Sequence, residues 1–269
     1  MIYDETLKLL RRSYGKPLTD VRVESAVIGI SFTGVKLSTG ACAIAYTPEG
    51  AKALHHRDPS RKRRKPPPGR LRGVNVRRLL FGKTNEPLEK AIRVAVLGAL
   101  SAPLLRPERY RMVADEDALD LLNPSGMRSV CLVGAFGTYI RRLQAVRSLK
   151  LRVLELREDA FNGDDRRFYV PAHKAPQVLP LADTVIITGS SIANGTIDGL
   201  LSCVRPGSRV AVVGPTSSIL PDVLFKRGVT MVSGAAITDA DQALETLSQG
   251  GSAYHLYGLC ARKINLFPK

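Results

Sequence analysis

Residues 183–196 read Asp-Thr-Val-Ile-Ile-Thr-Gly-Ser-Ser-Ile-Ala-Asn-Gly-Thr, and no other stretch says as much about the architecture. Thr184 to Ile187 is a short β-branched run of the kind found in a strand buried on both faces. Gly189 and the hydroxyls after it form a turn, and an amphipathic helix around Ile197 to Val204 follows. A strand, a small-residue turn and a helix make one unit of a parallel α/β sheet.

The same grammar recurs on either side. Val130 to Val133 leads through Gly134 into a helix carrying Tyr139, Leu143 and Val146. Leu151 to Leu156, Val210 to Val213 and Val229 to Val232 are further apolar runs, and a helix from Asp239 to Leu247 follows the last. This predicts a Rossmann-like parallel sheet of about five strands over residues 109–269. Upstream the period changes. Asp4 can cap a short helix through Leu7, Leu10 and Tyr14, stopped by Gly15. Val21 to Tyr46, broken by Ser38-Thr39-Gly40, predicts an antiparallel meander, and Leu88, Ile92, Ala95, Val96 and Ala99 predict a covering helix that Asn85 can cap. Residues 1–108 are thus expected to form a smaller α+β domain, and the whole chain an α/β protein of two domains.

The chain has 269 residues, 44% of them hydrophobic, enough for sizeable cores and against general disorder. Its net charge is +16, and the stretch from Arg57 to Arg78 supplies +9 of it, with ten cations and one acid, Asp58. Arg61-Lys-Arg-Arg-Lys65 followed by Pro66-Pro-Pro-Gly69 predicts an exposed loop over 59–73, because like charges repel and prolines resist helix and strand. Such a loop either is a solvated charge run or binds nucleic acid through phosphates, although no aromatic precedes Phe81 to stack on bases. The longest apolar stretch, Ala91 to Leu105, is interrupted by Arg93 and is too short to cross a bilayer. No apolar leader is visible, so a cytoplasmic protein is expected. Cys42, Cys131, Cys203 and Cys260 are scattered singly, which argues against a zinc ribbon or a disulfide framework.

In an open parallel sheet, ligands lie beyond the carboxyl ends of the strands. The candidate binding residues are therefore Gly134, Phe136, Gly137, Glu155, Thr188 to Ser191, Asn194 to Thr196, Gly214 and Thr216. The hydroxyls and amides of Thr188 to Thr196 either cradle a phosphate or carboxylate or simply cap the next helix. Gly134-x-x-Gly137 with Glu155 about 20 residues on resembles part of a dinucleotide fingerprint, which leaves a nucleotide-dependent transferase or oxidoreductase as one reading, yet the full glycine pattern is missing. His55, His56, His173 and His255 have no metal-site spacing. Carboxylates at Glu155, Asp164, Asp165 and Asp183 could hold a hard cation, so the cofactor stays open, with a divalent ion as the candidate.

The strings Val27-Ile-Gly-Ile-Ser-Phe-Thr-Gly-Val-Lys-Leu37, Ala43-Ile-Ala-Tyr-Thr-Pro48, Gly98-Ala-Leu-Ser101 and the 183–196 stretch are together similar to the bacterial and archaeal heavy-metal chelation family. That resemblance runs over nearly the whole chain. It implies an enolase N-terminal-like domain followed by a Rossmann-like domain, with a ligand cleft between them lined by Thr33, Thr188, Gly189, Asn194, Gly195 and Thr196. It also implies a small anionic or metal-chelating ligand and a role in chelator or metal-cofactor metabolism. If the ligand is a substrate, the turn would stabilise an oxyanion and Glu155 would serve as acid or base. One departure is Gly98, where the family pattern often has Asn. A homo-oligomer, most simply a dimer, is expected.

Overall fold

The structure is a computed structural model that describes residues 1–48, 69–82 and 84–269. The charge run Arg61 to Lys65, and most of the 59–73 loop with it, lies outside the described residues.

The chain opens with helix α1 (Ile2–Tyr14), followed by strands β1 (Val23–Ile28), β2 (Phe32–Leu37) and β3 (Cys42–Tyr46) in an antiparallel sheet of order β1-β2-β3. Asp4 does not cap α1. It sits in the first turn, and the helix starts at Ile2, whose amide donates to both oxygens of the Asp198 carboxylate at 3.1 Å. Sequence proximity suggested the local acid; a distant one does the work. The short α2 (Val76–Leu80) is capped by Asn75, whose side chain accepts from the Arg77 amide. The covering helix is α3 (Pro87–Ser101), which Glu86 precedes with Pro87 in its first turn, so the boundary lies one residue beyond Asn85. Twelve of its fifteen residues are buried.

The larger sheet contains β4 (Arg111–Ala114), β5 (Ser129–Val133), β6 (Lys150–Glu155), β7 (Tyr169–Pro171), β8 (Thr184–Thr188), β9 (Arg209–Val213), β10 (Met231–Ile237) and β11 (Ala261–Phe267), in the order β4-β11-β10-β9-β8-β5-β6-β7. Between these strands run α4 (Ala118–Leu121), α5 (Gly137–Gln144), α6 (Ala175–Val178), α7 (Ser190–Asn194), α8 (Ile197–Ser202), α9 (Asp222–Phe225), α10 (Ala240–Ser248) and α11 (Ala253–Leu256). All five expected strands are present and mutually parallel. Three more extend the sheet: β7 pairs parallel with β6, and β11 runs antiparallel to both β10 and β4. From β7 through β10 the order is that of a dinucleotide-binding sheet, and the progression of the strand order reverses between the parallel neighbours β5 and β8.

Side chains of β8 alternate between two cores. Val185 and Ile187 join the cluster that also holds Leu37, Leu97, Leu220 and Val232, whereas Ile186 joins Leu119, Leu132, Ile140 and Val213 on the other face. The first cluster continues into the small sheet, so one core spans both sheets. The small sheet is in turn held from its other side by α10, where Leu247 packs with Ile44. Gly98 shows how close α3 lies: a Cβ there would come 2.9 Å from that of Ala43 and 3.2 Å from the Ser218 carbonyl oxygen. An Asn at 98 has no room in this packing. No helix among the described residues is long and apolar enough to cross a membrane.

Candidate functional site

The reversal between β5 and β8 places Gly134 beside Thr188. Gly134 has φ +106°, a conformation that favours glycine, and a Cβ on it would also press to 3.2 Å from that of Thr188. Phe136 follows and stacks on Tyr139, with ring centroids 5.4 Å apart. At the end of β6 the Glu155 carboxylate folds back over this turn, accepting from the Ala135 amide at 3.0 Å, the Leu156 amide at 2.6 Å and the Arg157 amide at 3.4 Å. Those bonds use the carboxylate on protein amides, where a nucleotide reading needs it on a ribose. Gly137 begins α5, and a Cβ there would touch nothing, so the position does not serve the close packing that a fingerprint glycine serves.

Thr188 at the end of β8 and Ser190 at the start of α7 are half-buried, and their hydroxyls pair at 2.6 Å, either one donating. The Ser191 hydroxyl is buried and donates to the Thr188 carbonyl at 2.6 Å, and the Gly189 amide donates to Val213 at 2.7 Å. Thr188 to Thr196 does not act as one continuous cradle. The helix α7 separates its two ends, and Asn194, Gly195 and Thr196 close the far one. There the Asn194 amide oxygen accepts from the Thr196 amide at 3.0 Å and its hydroxyl at 2.8 Å. The Lys90 ammonium approaches from α3 to 3.9 Å from where a Gly195 Cβ would lie.

The hydroxyls after β9 tie the sheets together. Thr216, buried, accepts from the Tyr46 amide of β3 at 2.9 Å. The Gly214 amide donates to Ser233, and the Ser217 hydroxyl reaches the carbonyls of both Gly214 and Ser233 at 2.7 Å. Thr33 is fully buried and its hydroxyl pairs with that of Thr47 at 3.0 Å, on the face of β2 that also carries Val35 and Leu37. The structure therefore gathers Gly134, Phe136, Glu155, Thr188 and Ser190 at one edge. The hydroxyls of Thr33, Ser191 and Thr216 are buried and engaged within the protein, the Gly214 amide bonds Ser233, and Asn194 to Thr196 form a second, exposed turn.

Among the described residues, no donor set fits a metal held by the chain itself. No group of three His, Cys, Asp or Glu side chains capable of holding an ion exists among the described residues. Burial pushes the Cys42 and Cys131 thiols up to about 12, which keeps both protonated and poor as metal ligands. His255 is used in a helix cap, its Nδ1 accepting from the Ser252 amide at 3.0 Å.

One polar group with no sequence-based role stands out. Arg93 on α3 is 7% exposed, and its Nε and Nη2 have no hydrogen-bond partner. The only signal in the sequence was a cation inside an otherwise apolar helical run.

These features define a two-lobed α/β protein with a dinucleotide-type strand order and a hydroxyl-lined reversal in place of a glycine-rich fingerprint. The chain belongs to the family described as "Putative heavy-metal chelation": one profile of that description matches residues 117–266 and a second matches residues 11–101. Two solved structures share the fold. A protein of unknown function from Pyrococcus horikoshii has a TM-score of 0.78 at 18% identity, covering 99% of this chain and 100% of that one. One from Desulfitobacterium hafniense has a TM-score of 0.70 at 20% identity, covering 97% and 98%. An uncharacterized protein of Methanocaldococcus jannaschii is 26% identical over 171 residues, 62% of this chain and 61% of that relative, so the match spans about six-tenths of the relative's length.

Proposed function

We propose that the protein binds a small anionic chelator, or the metal complex of one, at the edge where β5 and β8 diverge. The observation that carries this reading is the half-buried Thr188–Ser190 hydroxyl pair, set against Gly134 and Phe136 at the position where open α/β sheets take their ligands. The family description, heavy-metal chelation, supports a ligand of this class. Because no donor set among the described residues fits a metal, the metal in this reading enters as part of the ligand, whose own carboxylates or amines coordinate it. The two hydroxyls would accept or donate to the ligand's oxygens, and Phe136 would cover its apolar part. Glu155 then holds the Ala135–Phe136 turn in place rather than touching the ligand. The reading does not require catalysis.

Calorimetric titration with the citrate and nitrilotriacetate complexes of Zn(II), Ni(II) and Co(II), beside the free chelators and free ions, tests this. A chelator or complex binds the wild-type chain, and Thr188→Val with Ser190→Ala weakens it about tenfold or more, as loss of two hydrogen bonds implies. Equal affinity in that double variant, or binding of the bare ions alone, would overturn the reading.

A further inference from the structure

The outer face of α1 and α2 is cationic, and the chain does not neutralise it. Lys8, Arg11 and Arg12 are exposed on α1, Arg77 on α2, and Lys226 at the end of α9. These five form one patch. Arg11 and Arg77 meet at the half-buried ring of Phe81, their guanidinium carbons 5.4 and 5.9 Å from its centroid. Lys8, Arg11 and Arg12 border one hollow of the surface, and Lys8 and Arg12 also border the groove beside it, about 140 Å³, with Val223 and Lys226 on the α9 side. Among the described residues none of the five is in an ion pair. Glu5, the acid in the groove, is already bound to Arg227. Like charges one helical turn apart, as at Lys8 and Arg12, work against folding, so the gain from collecting them lies in an anionic partner.

Shape and chemistry indicate which partner. Cations set along a cleft between helices are reached by a thin chain and not by the flat surface of a bilayer. Leu9 and Phe81, the apolar side chains within the patch, are half-buried and cannot enter lipid. Three of the five cations are arginines, whose planar forks pair with phosphate oxygens two at a time. Phe81 is engaged by two guanidiniums and offers no open platform for a base, so recognition rests on backbone phosphates and not on base identity. We propose that α1, α2 and the end of α9 form a docking groove for single-stranded nucleic acid, gripped through its phosphodiester backbone without regard to sequence. This role is independent of the ligand at the strand edge.

The test follows the fluorescence anisotropy of a labelled oligothymidylate of about 20 nucleotides with the full chain, from about 50 to 200 mM sodium chloride. Five neutralised phosphates imply that log Kd rises with log salt at a slope of about 3.5 or more, so this change weakens binding about a hundredfold. Lys8→Gln with Arg11→Gln and Arg12→Gln keeps good helix formers on an exposed face. It is expected to lower the slope by about 2 and to weaken binding about a hundredfold at about 0.1 M salt. Lys226→Gln, on a separate helix, is expected to lower the slope by about 0.7. A chain of net charge +16 attracts any polyanion, so a matched control removes three exposed cations elsewhere: Arg141→Gln, Arg147→Gln and Lys150→Gln, on and after α5, whose Tyr139, Ile140 and Leu143 belong to the other core. That control is expected to bind within about threefold of wild type, because distant exposed charges are screened. Equal losses in the two triple variants would make overall charge the cause and overturn the groove, as would an α1 variant that binds like wild type. Tighter binding of a duplex of the same length would overturn the single-strand assignment. Sedimentation with phosphatidylserine-containing vesicles that depends on Lys8, Arg11 and Arg12, without oligothymidylate binding, would give the face to a membrane and overturn the proposal.

Discussion

At the residue scale, Gly98 and Asp117 show how single side chains are constrained by the packing around them. A methyl group added at Gly98 would meet Ala43 at 2.9 Å, and a helix buried on nearly every side cannot retreat. Gly98→Ala should therefore lower stability by about 1–3 kcal/mol, as overpacking does, read as a drop in urea midpoint. Gly98→Ala combined with Ala43→Gly should recover part of it, since the pair shares one contact. Asp117 accepts from the Leu119 amide at 3.0 Å and meets Arg142 at 3.2 Å and Lys263 at 3.1 Å. Burial opposes its charge, but Lys263, the Leu119 amide and Arg142 outweigh burial and hold the carboxyl below the usual aspartate range. A lowered folded pKa means stability that is present above the unfolded value, near 3.9, and lost as pH falls toward the folded one. Asp117→Asn should cost about 1 kcal/mol at pH 7, and the gap from wild type should close as the pH is taken below 4. A gap that persists undiminished at pH 3 would show that charge is not what Asp117 supplies.

At the element scale, the strands that are plain in the sequence are those buried on both faces. Val185-Ile186-Ile187 needs apolar groups on every residue because each face meets a different core. The edge elements carry no such signal. β7 is three residues within a proline-rich interval, β4 at the other edge includes Arg111, and β11, next to β4, includes Arg262 and Lys263. The site was legible to the same extent. Thr188 and Ser190 stand where the strand–turn–helix reading put them, whereas Asn194 to Thr196 look contiguous with them in sequence and are carried away by a helix of five residues. Nothing local distinguishes a half-buried hydroxyl such as that of Thr188 from one such as Thr33, which is buried and paired with Thr47. The start of α1 illustrates the same limit, because its cap is Asp198. Asp198→Ala should cost about 0.5–2 kcal/mol, the range for removing a helix cap, with amide exchange quickening first in the opening turn of α1. Unaltered exchange there would mean that the carboxylate is incidental.

At the scale of the whole molecule, α3 belongs to neither sheet alone. It floors the small sheet and meets the turns after β8 and β9 on its other side, and the largest apolar cluster runs through it from Leu37 to Val232. The two sheets are thus not beads joined by a hinge. Heated, they should melt in one transition whose calorimetric and van't Hoff enthalpies agree, where independent lobes would give two steps or a ratio well above one. A protein built this way cannot admit a guest by swinging open like jaws; whatever settles at the strand edge meets a rim already in its final shape, and must fit it as a key fits a fixed lock.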